Sequence, residues 1–330
     1  MLLGIIIPAL NEEATVGEII RRVLAAPLPV VLDRRVVIVV DDGSTDRTGE
    51  VAAAAGAKVV RHGRNFGVGR AFKSGLGQAL EEQADLIVNI DADGQFNPDD
   101  IAKLIQPILD GHAGFVTASR FKDPALEPEM PKVKRWGNRQ MSRLVSLLVG
   151  RTYHDVSCGF RAYSRETALR LNLWGEFTYT QETFLHLCAC GIQIAEVPVP
   201  VRGVREIGES RVASNLWRYA QRTSTILFYA YRDFWPLRFF SALAVLFALP
   251  ALACLIFLFQ HWLRTGAFSP HIWAGFTGGG LGLLTLLCLV TGLLAGMLKR
   301  IRLNQEEMLY HLKKAHYSRN AARPSDQGVC

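Results

Sequence analysis

The sequence predicts an α/β fold: a mostly parallel sheet with helices on both faces, followed by interfacial helices and two transmembrane helices. Three observations predict it. Apolar, β-branched runs alternate with helical patterns through the first part of the chain. Three of those runs end in polar clusters, Asn11-Glu12, Asp41-Asp42 and Asp91–Asp93. Two long uncharged runs then lie near the C-terminus.

Each element follows in order. Leu3–Ile7 is a short apolar run, and Asn11–Glu13 leads into the helical pattern Val16–Leu24. Arg35–Val40 is β-branched and ends in Asp41-Asp42-Gly43-Ser44. Thr45–Ala55 reads as a helix, Lys58–Arg61 as a short strand and Gly69–Gln83 as a helix. Leu86–Ile90 is a strand that stops on Asp91. A β-α-β-α-β order makes parallel strands with covering helices. Ligands of such sheets bind at the carboxyl ends of the strands.

Phe115–Ser119 reads as a further strand. Lys132–Val149 has helical periodicity, with Trp136, Met141, Leu144, Val145 and Leu148 on its apolar side and basic residues opposite. It is either an ordinary surface helix packed on the sheet or an interfacial helix on a membrane. Thr183–Cys190 reads as a buried helix, and Ile194–Val201 as a strand with prolines at its end.

Aromatic residues and arginines mix in 214–236, including Trp217, Tyr219, Arg222, Arg232 and Trp235, as in an interface belt. Phe239–Phe259 is uncharged over 21 residues and Ile272–Leu298 over 27. A bilayer core needs about 20 helical residues, so both runs can cross one. Pro250 should kink the first, and Gly278-Gly279-Gly280, Gly282, Gly292 and Gly296 suggest close helix packing in the second. The loop Gln260–His271 holds only Arg264, whereas the tail from Lys299 is strongly basic. By the positive-inside rule the spans form a hairpin in an integral membrane protein with both termini cytoplasmic. Arg302–His316 reads as an amphipathic helix beside the membrane, or as a self-association segment that would make a homo-oligomer. The expected divisions are a cytoplasmic domain over 1–213, interfacial helices over 214–236, the hairpin over 237–298 and a basic tail over 299–330.

Composition limits the function classes. The chain has 330 residues, 49% of them hydrophobic and 20% charged, which excludes disorder, collagen and a disulfide-rich scaffold. The net charge of +7 is concentrated in Lys132–Arg143, Arg202–Arg222 and Lys299–Arg319. Each stretch adjoins apolar or aromatic residues, which favours membrane surface and phosphate over nucleic acid. No zinc finger, helix-turn-helix or RNP motif is present. The six cysteines form no C-x-x-C pair and read as free thiols. The N-terminus lacks a basic n-region and reads as a buried strand, not a signal peptide.

The strongest chemical signal is Asp91-Ala-Asp93 followed by Gln95. Along an extended strand end, alternate residues face one way, so two carboxylates and an amide oxygen converge. That donor set suits Mg²⁺ or Mn²⁺, which also take phosphate oxygens. Asp41 and Asp42 could grip ribose hydroxyls or a base edge, while Ser44 or Asp46 caps a helix.

Taken together, Ile7-Pro8-Ala9-Leu10-Asn11-Glu12-Glu13, Val40-Asp41-Asp42-Gly43-Ser44-Thr45-Asp46, Asn65-x-Gly67-x-Gly69 and Asp91-Ala-Asp93-x-Gln95 resemble family 2 glycosyltransferases of the GT-A (Rossmann-like) fold. Arg120, Asp155-x-Ser157-x-Gly159-Phe160-Arg161 and Arg205-x-x-Gly208-x-Ser210-Arg211 resemble the branch that makes polyprenol-phosphate (dolichyl-phosphate) hexoses. The likeness runs from about Leu3 to Ser214. It implies that Pro8, Asn11, Glu12, Asp41 and Asp42 bind the nucleotide. It implies that Asp91, Asp93 and Gln95 hold the metal. Arg120 and Arg205, with Ser210 and Arg211 on a mobile loop, would handle phosphates and close over the donor. Lys134, Arg135 and Arg139 are candidates for the acceptor phosphate. Processive synthases of the superfamily carry Q-x-x-R-W, and the nearest string here, Gln140-Met-Ser-Arg143-Leu, has Leu for Trp.

The resemblance implies an inverting glycosyltransferase with a UDP- or GDP-sugar donor and a polyprenyl phosphate acceptor. A phosphate monoester has a second pKa of about 6, so this acceptor is already an anionic nucleophile at neutral pH. No strong general base is required. Glu182 would then contact a sugar hydroxyl or orient an arginine. With a hydroxyl acceptor on another lipid or glycan, a base becomes obligatory and Glu182 is the first candidate. A non-catalytic nucleotide-sugar-binding protein is a third reading, against which the intact Asp91, Asp93 and Arg205 stand.

Overall fold

The computed structural model describes residues 1–173, 179–202, 225, 228–229, 231–233 and 235–321. The chain divides into two compact units, Met1–Leu227 with Glu307–Cys330, and Phe228–Glu306.

The first unit is built on a seven-stranded sheet of order β3-β2-β1-β4-β6-β5-β7. Its strands are β1 (Leu2–Ala9), β2 (Arg34–Asp41), β3 (Lys58–Arg61), β4 (Leu86–Asn89), β5 (Phe115–Ser119), β6 (Arg161–Ser164) and β7 (Ile194–Pro198). The helices are α1 (Val16–Ala25), α2 (Thr48–Ala54), α3 (Val68–Glu81), α4 (Ile101–Leu109), α5 (Lys132–Val149), α6 (Arg165–Arg170) and α7 (Thr180–Ala189). The predicted mostly parallel sheet is therefore present. Leu3, Ile5, Ile6 and Ile7 are fully buried because helices cover both faces of β1, which removes the need for polar alternation.

Parallel register brings the predicted polar ends to one edge. Ala9 of β1 lies opposite Asp41 of β2. Ile6 lies opposite Asn89 of β4, so Asn11, Asp41-Asp42 and Asp91 leave the sheet on the same side. Gly75 allows α3 to lie directly on this part of the sheet: a Cβ there would come within 2.4 Å of Ile6 Cγ2.

Three features differ from the sequence expectation. β6 is antiparallel to both β4 and β5. Its sequence, Arg-Ala-Tyr-Ser, is short and starts on a charge, so it lacks the apolar signature of the other strands. Helix α2 starts at Thr48 rather than Thr45, because Asn11 Oδ1 accepts the Thr45 N–H and Asp46 Oδ1 accepts the Thr48 N–H. In α5 only Val145 of the expected apolar side is buried. Trp136 and Leu144 face solvent, and Met141 and Leu148 are half-buried.

The second unit holds α8 (Pro236–Thr265) and the first part of α9 (Ile272–Ala321). Both helices are long and apolar enough to cross a membrane. Large apolar side chains such as Leu246, Leu249, Leu283 and Leu293 are exposed along them. Helix α8 continues through Pro250. Of the predicted packing glycines, Gly278 and Gly292 do sit at close contacts, a Cβ on them meeting Leu255 at 3.0 Å and Phe240 at 2.9 Å. Gly279, Gly280, Gly282 and Gly296 face open space.

The tail is a further difference. Helix α9 runs unbroken past Lys299 to Ala321, a stretch with no glycine or proline to stop it. From Glu307 onward it belongs to the first unit. Arg170 pairs with Glu307 at 2.8 Å, and the Tyr310 hydroxyl donates to Glu166 at 2.7 Å. Lys313 Nζ donates to the Leu171 carbonyl at 3.2 Å and to Asn172 Oδ1 at 2.6 Å, satisfying groups at the C-terminal end of α6. The Tyr317 carbonyl accepts from Gln83. The segment expected to lie beside the membrane or to self-associate thus spends this face within its own chain.

Candidate active site

The carboxyl edge of β1, β2 and β4 gathers most of the predicted residues. Pro8 is half-buried near the end of β1, before the buried Ala9, and Asn11 follows in a left-handed conformation with φ 52°. That turn lets Asn11 tie two loops together. Its N–H donates to Ser44 Oγ at 2.9 Å, and its Oδ1 accepts from Thr45 N at 2.8 Å. The Glu12 N–H donates to Thr48 Oγ1 at 2.8 Å.

Asp41 and Asp42 are both buried at the end of β2. Asp41 Oδ1 accepts the Ser44 N–H at 2.9 Å, and its other oxygen lies 3.8 Å from Arg61 Nε. Asp42 organises the loop before α3. It accepts the N–H groups of Phe66 at 3.1 Å and Gly67 at 2.8 Å. It also lies 2.7 Å from His62 Nδ1, whose Nε2 meets Ser74 Oγ at 2.9 Å. Gly67 is in the left-handed region at φ 95°, which explains the glycine of Asn65-x-Gly67.

Asp91 and Asp93 follow β4. Asp93 is 4% exposed, and its Oδ1 accepts the Gln95 N–H at 3.1 Å. The Gln95 amide nitrogen donates to the Arg202 carbonyl at 3.2 Å, so it faces the chain. Asp91 lies against Gly159: a Cβ there would come within 2.6 Å of Asp91 Oδ2. Two carboxylates and an amide oxygen form a hard-oxygen donor set, and glycine opposite Asp91 keeps the space a cation needs. The residues therefore fit Mg²⁺ or Mn²⁺.

Arg120, at the end of β5, makes a forked ion pair with Asp155. Its Nε and Nη2 approach the carboxylate at 2.6 and 2.9 Å, and its own N–H donates at 3.1 Å. Asp155 is fully buried and also accepts the Ser157 N–H at 3.1 Å. Sequence reasoning singled out both residues but missed their pairing. The Ser157 bond is an Asx-type turn that holds Asp155 over its own loop.

Arg161 was also missed as a structural group. It is fully buried, donates to the Cys158 and Val156 carbonyls at 2.7 and 3.0 Å, and lies 5.3 Å from the Phe184 ring centroid. It fixes the loop that carries Asp155 and Gly159. Within that loop, burial and the nearby Asp155 charge push the Cys158 thiol up to about 12. We expect Cys158 to escape maleimide modification at pH 8 in the folded protein and to react after denaturation, as peptide mass spectrometry would show. Prompt native labelling would contradict this burial.

Arg135 and Arg139, on the first half of α5, share Glu127 as partner at 2.9 and 3.0 Å. Lys134 is half-buried on the same helix. Glu182 is buried in the first turn of α7, and its neighbour Gln181 donates to Ser157 Oγ at 3.5 Å. Arg205, Ser210 and Arg211 lie outside the described residues. The five cysteines among the described residues are all free, as expected.

Comparison with known proteins adds a family. Residues 4–170 match the profile of the family described as Glycosyl transferase family 2. The chain is 36% identical over 181 residues to the UDP-N-acetylglucosamine–dolichyl-phosphate N-acetylglucosaminyltransferase of Methanococcus voltae, covering 50% of this chain and 70% of that one. It is 32% identical over 211 residues to the dolichyl-phosphate hexose transferase of Haloferax volcanii, covering 64% and 86%. Among solved structures it resembles Mycobacterium tuberculosis glucosyl-3-phosphoglycerate synthase in complex with Mn²⁺, UDP and glucosyl-3-phosphoglycerate. That match has TM-score 0.53 and 25% identity, over 68% of this chain and 78% of the other.

Proposed function

The chain belongs to glycosyltransferase family 2, and from that premise we propose that it moves a sugar from a UDP- or GDP-sugar to a polyprenyl phosphate, with inversion, at a cytoplasmic membrane face. One observation carries the reading. A strand-end carboxylate site and two helices able to cross a membrane occur in one chain, and the segments on either side of those helices join one compact unit. Two crossings return the chain to the side it left, so the helices form a hairpin with both flanks on one face. The basic tail supports the cytoplasm as that face. The dolichyl-phosphate acceptors in the names of two relatives support the lipid. A lipid of that kind cannot leave the bilayer, so the catalytic unit must be held there.

The chemistry asks for positioning and charge neutralisation. A phosphate oxygen of the acceptor attacks the anomeric carbon. The bond from that carbon to the nucleoside diphosphate breaks as the new C–O bond forms, and no proton need move. Asp91, Asp93 and Gln95 would hold Mg²⁺ or Mn²⁺, which when bound neutralises charge on the diphosphate leaving group. Pro8, Asn11, Glu12, Asp41 and Asp42 frame the nucleotide pocket, with Asp42 acting through the loop it holds. Arg120 is oriented by Asp155, and Arg205, Ser210 and Arg211 complete the phosphate-handling set. Two arginines share one carboxylate at Glu127, so the Arg135–Arg139 cluster keeps a net positive charge for an acceptor phosphate. Guanidinium suits that task because its planar fork binds phosphate bidentately. Glu182 is assigned a sugar hydroxyl.

The deciding experiment incubates the full chain, in lipid nanodiscs, with radiolabelled UDP- and GDP-sugars, polyprenyl phosphate and Mg²⁺ or Mn²⁺. A labelled lipid product that disappears with EDTA is expected. Nucleotide binding without lipid product from any donor would overturn the reading, as would transfer only to lipid hydroxyls. Gly159→Ala supplies a finer check, since its Cβ would push on Asp91. The metal concentration for half-maximal transfer should rise about 10–100-fold, the usual effect of disturbing a metal site's supporting shell. An unchanged metal titration would remove Asp91 from that site.

A further inference from the structure

The two loops that carry Arg120 and Asp155 are both tied to one residue of β7, Glu196. It lies opposite Thr117 of β5 in the parallel register that also pairs Ser119, the residue before Arg120, with Pro198. Its side chain is only 6% exposed. Its Oε1 accepts the N–H groups of His154 and Asp155, each at 2.9 Å. Its Oε2 accepts the His154 N–H at 3.1 Å and lies 2.8 Å from His154 Nδ1. The Glu196 carbonyl accepts from Lys122 Nζ at 2.7 Å, two residues after Arg120. A shielded glutamate needs partners, and this one finds them in two consecutive backbone N–H groups and an imidazole. The second of those N–H groups belongs to Asp155 itself.

We infer that Glu196 is a positioning residue for sugar transfer: it sets the backbone of Asp155 and, through the Asp155 carboxylate, the orientation of the Arg120 guanidinium. The chain of contacts is short. Glu196 fixes the N–H from which Asp155 departs, and Asp155 receives the Arg120 fork at 2.6 and 2.9 Å. The next N–H along, that of Val156, goes to the neutral Ser142 hydroxyl at 3.3 Å. The bonds to Glu196 are shorter and charge-assisted, so they are the stronger hold on this backbone. Direction matters at the far end because a guanidinium binds phosphate through a planar fork, which loses a bond when it is turned. The inference rests on the assignment of Arg120 to a phosphate in the proposed reaction. Glu196 itself touches no reacting atom and acts only through the ion pair.

The test uses the full chain in lipid nanodiscs, with Glu196→Ala, Glu196→Gln, Arg120→Lys and the double variant Glu196→Ala with Arg120→Lys. Hydrogen exchange is read first, without substrate. Glu196→Ala should speed exchange over 150–160 and also at the Arg120 N–H, across the ion pair. Glu196→Gln keeps an oxygen for the two N–H groups and should restore most of the protection. Kinetics follow. Glu196→Ala should raise the KM of the same substrate that Arg120→Lys affects, by about tenfold, roughly the value of one charge-assisted hydrogen bond. In the double variant that KM should rise little beyond Arg120→Lys, because both changes remove one contact. A merely structural loss would lower the active fraction and leave both KM values unmoved. Glu196→Asp, one methylene short of the two N–H groups, takes the place of Glu196→Ala if the latter does not fold. Unmoved KM values, full additivity in the double variant, or a glutamine as damaging as alanine would each overturn the inference. So would exchange that quickens over 150–160 but not at Arg120. A parent chain inactive toward polyprenyl phosphate would strike the proposed reaction, and the exchange result would still decide whether Glu196 sets Arg120.

Discussion

Asp93→Asn is expected to abolish sugar transfer while leaving the protein folded and membrane-bound. The substitution keeps an oxygen that can accept the Gln95 N–H. It removes the negative charge from a side chain only 4% exposed. If Asp93 is a metal ligand, the loss falls on neutralisation of the leaving diphosphate. Metal-derived stabilisation of that kind is worth several kcal/mol, and about 4 kcal/mol corresponds to roughly a thousandfold in rate. Asp93→Ala should lose as much transfer and, in addition, some stability through the unmet Gln95 N–H. The two variants separate chemistry from folding: both inactive, with only the alanine variant melting earlier. Both should stay in the membrane fraction, since neither touches α8 or α9. Transfer by Asp93→Asn above about a tenth of the parent rate, a loss of less than about 1.4 kcal/mol, would sink the metal assignment.

The parts of this site that were legible in the sequence share a physical cause. β1, β2 and β4 are buried on both faces, so they read as unbroken apolar runs, and the first polar residues after them mark the edge where ligands bind. Asn11, Asp41, Asp42, Asp91 and Asp93 could be placed on that rule alone. Arg120 and Asp155 could not be paired, because they are far apart in sequence and meet only where β6 runs antiparallel to β5. β6 gives no apolar signal of its own, its first residue being a buried arginine that donates to loop carbonyls. Asp42 likewise reads as a free strand-end carboxylate until the fold brings Phe66, Gly67 and His62 to it. The orientation of α5 was equally hidden. That helix has two apolar stripes, and periodicity cannot say which of them the rest of the fold will cover. The docking of Glu307–Ala321 on α6 depends on pairs such as Tyr310 with Glu166, whose separation in sequence leaves no local trace.

Asp155→Ala is expected to cost both stability and transfer, and a double variant distinguishes the two losses. Asp155 is fully buried and receives Arg120 through three bonds, so its removal takes the paired carboxylate from a guanidinium that is itself largely shielded. Breaking a buried ion pair from one side costs about 3–5 kcal/mol. At roughly 2–4 °C per kcal/mol for a domain of this size, the catalytic unit should melt about 6–20 °C earlier. The loop Asp155–Gly159 also loses the carboxylate that accepts the Ser157 N–H, which loosens Gly159 against Asp91. Replacing both partners by apolar residues, Arg120→Leu with Asp155→Leu, removes both charges. Apolar substitutes for a buried pair are often neutral or stabilising, so much of the melting temperature should return. Transfer should not return, because the guanidinium assigned to phosphate handling is gone. Arg120 would be reduced to a structural residue if the double variant regained activity along with stability. If Asp155→Ala alone melted and transferred like the parent, the pair would hold neither the loop nor the site.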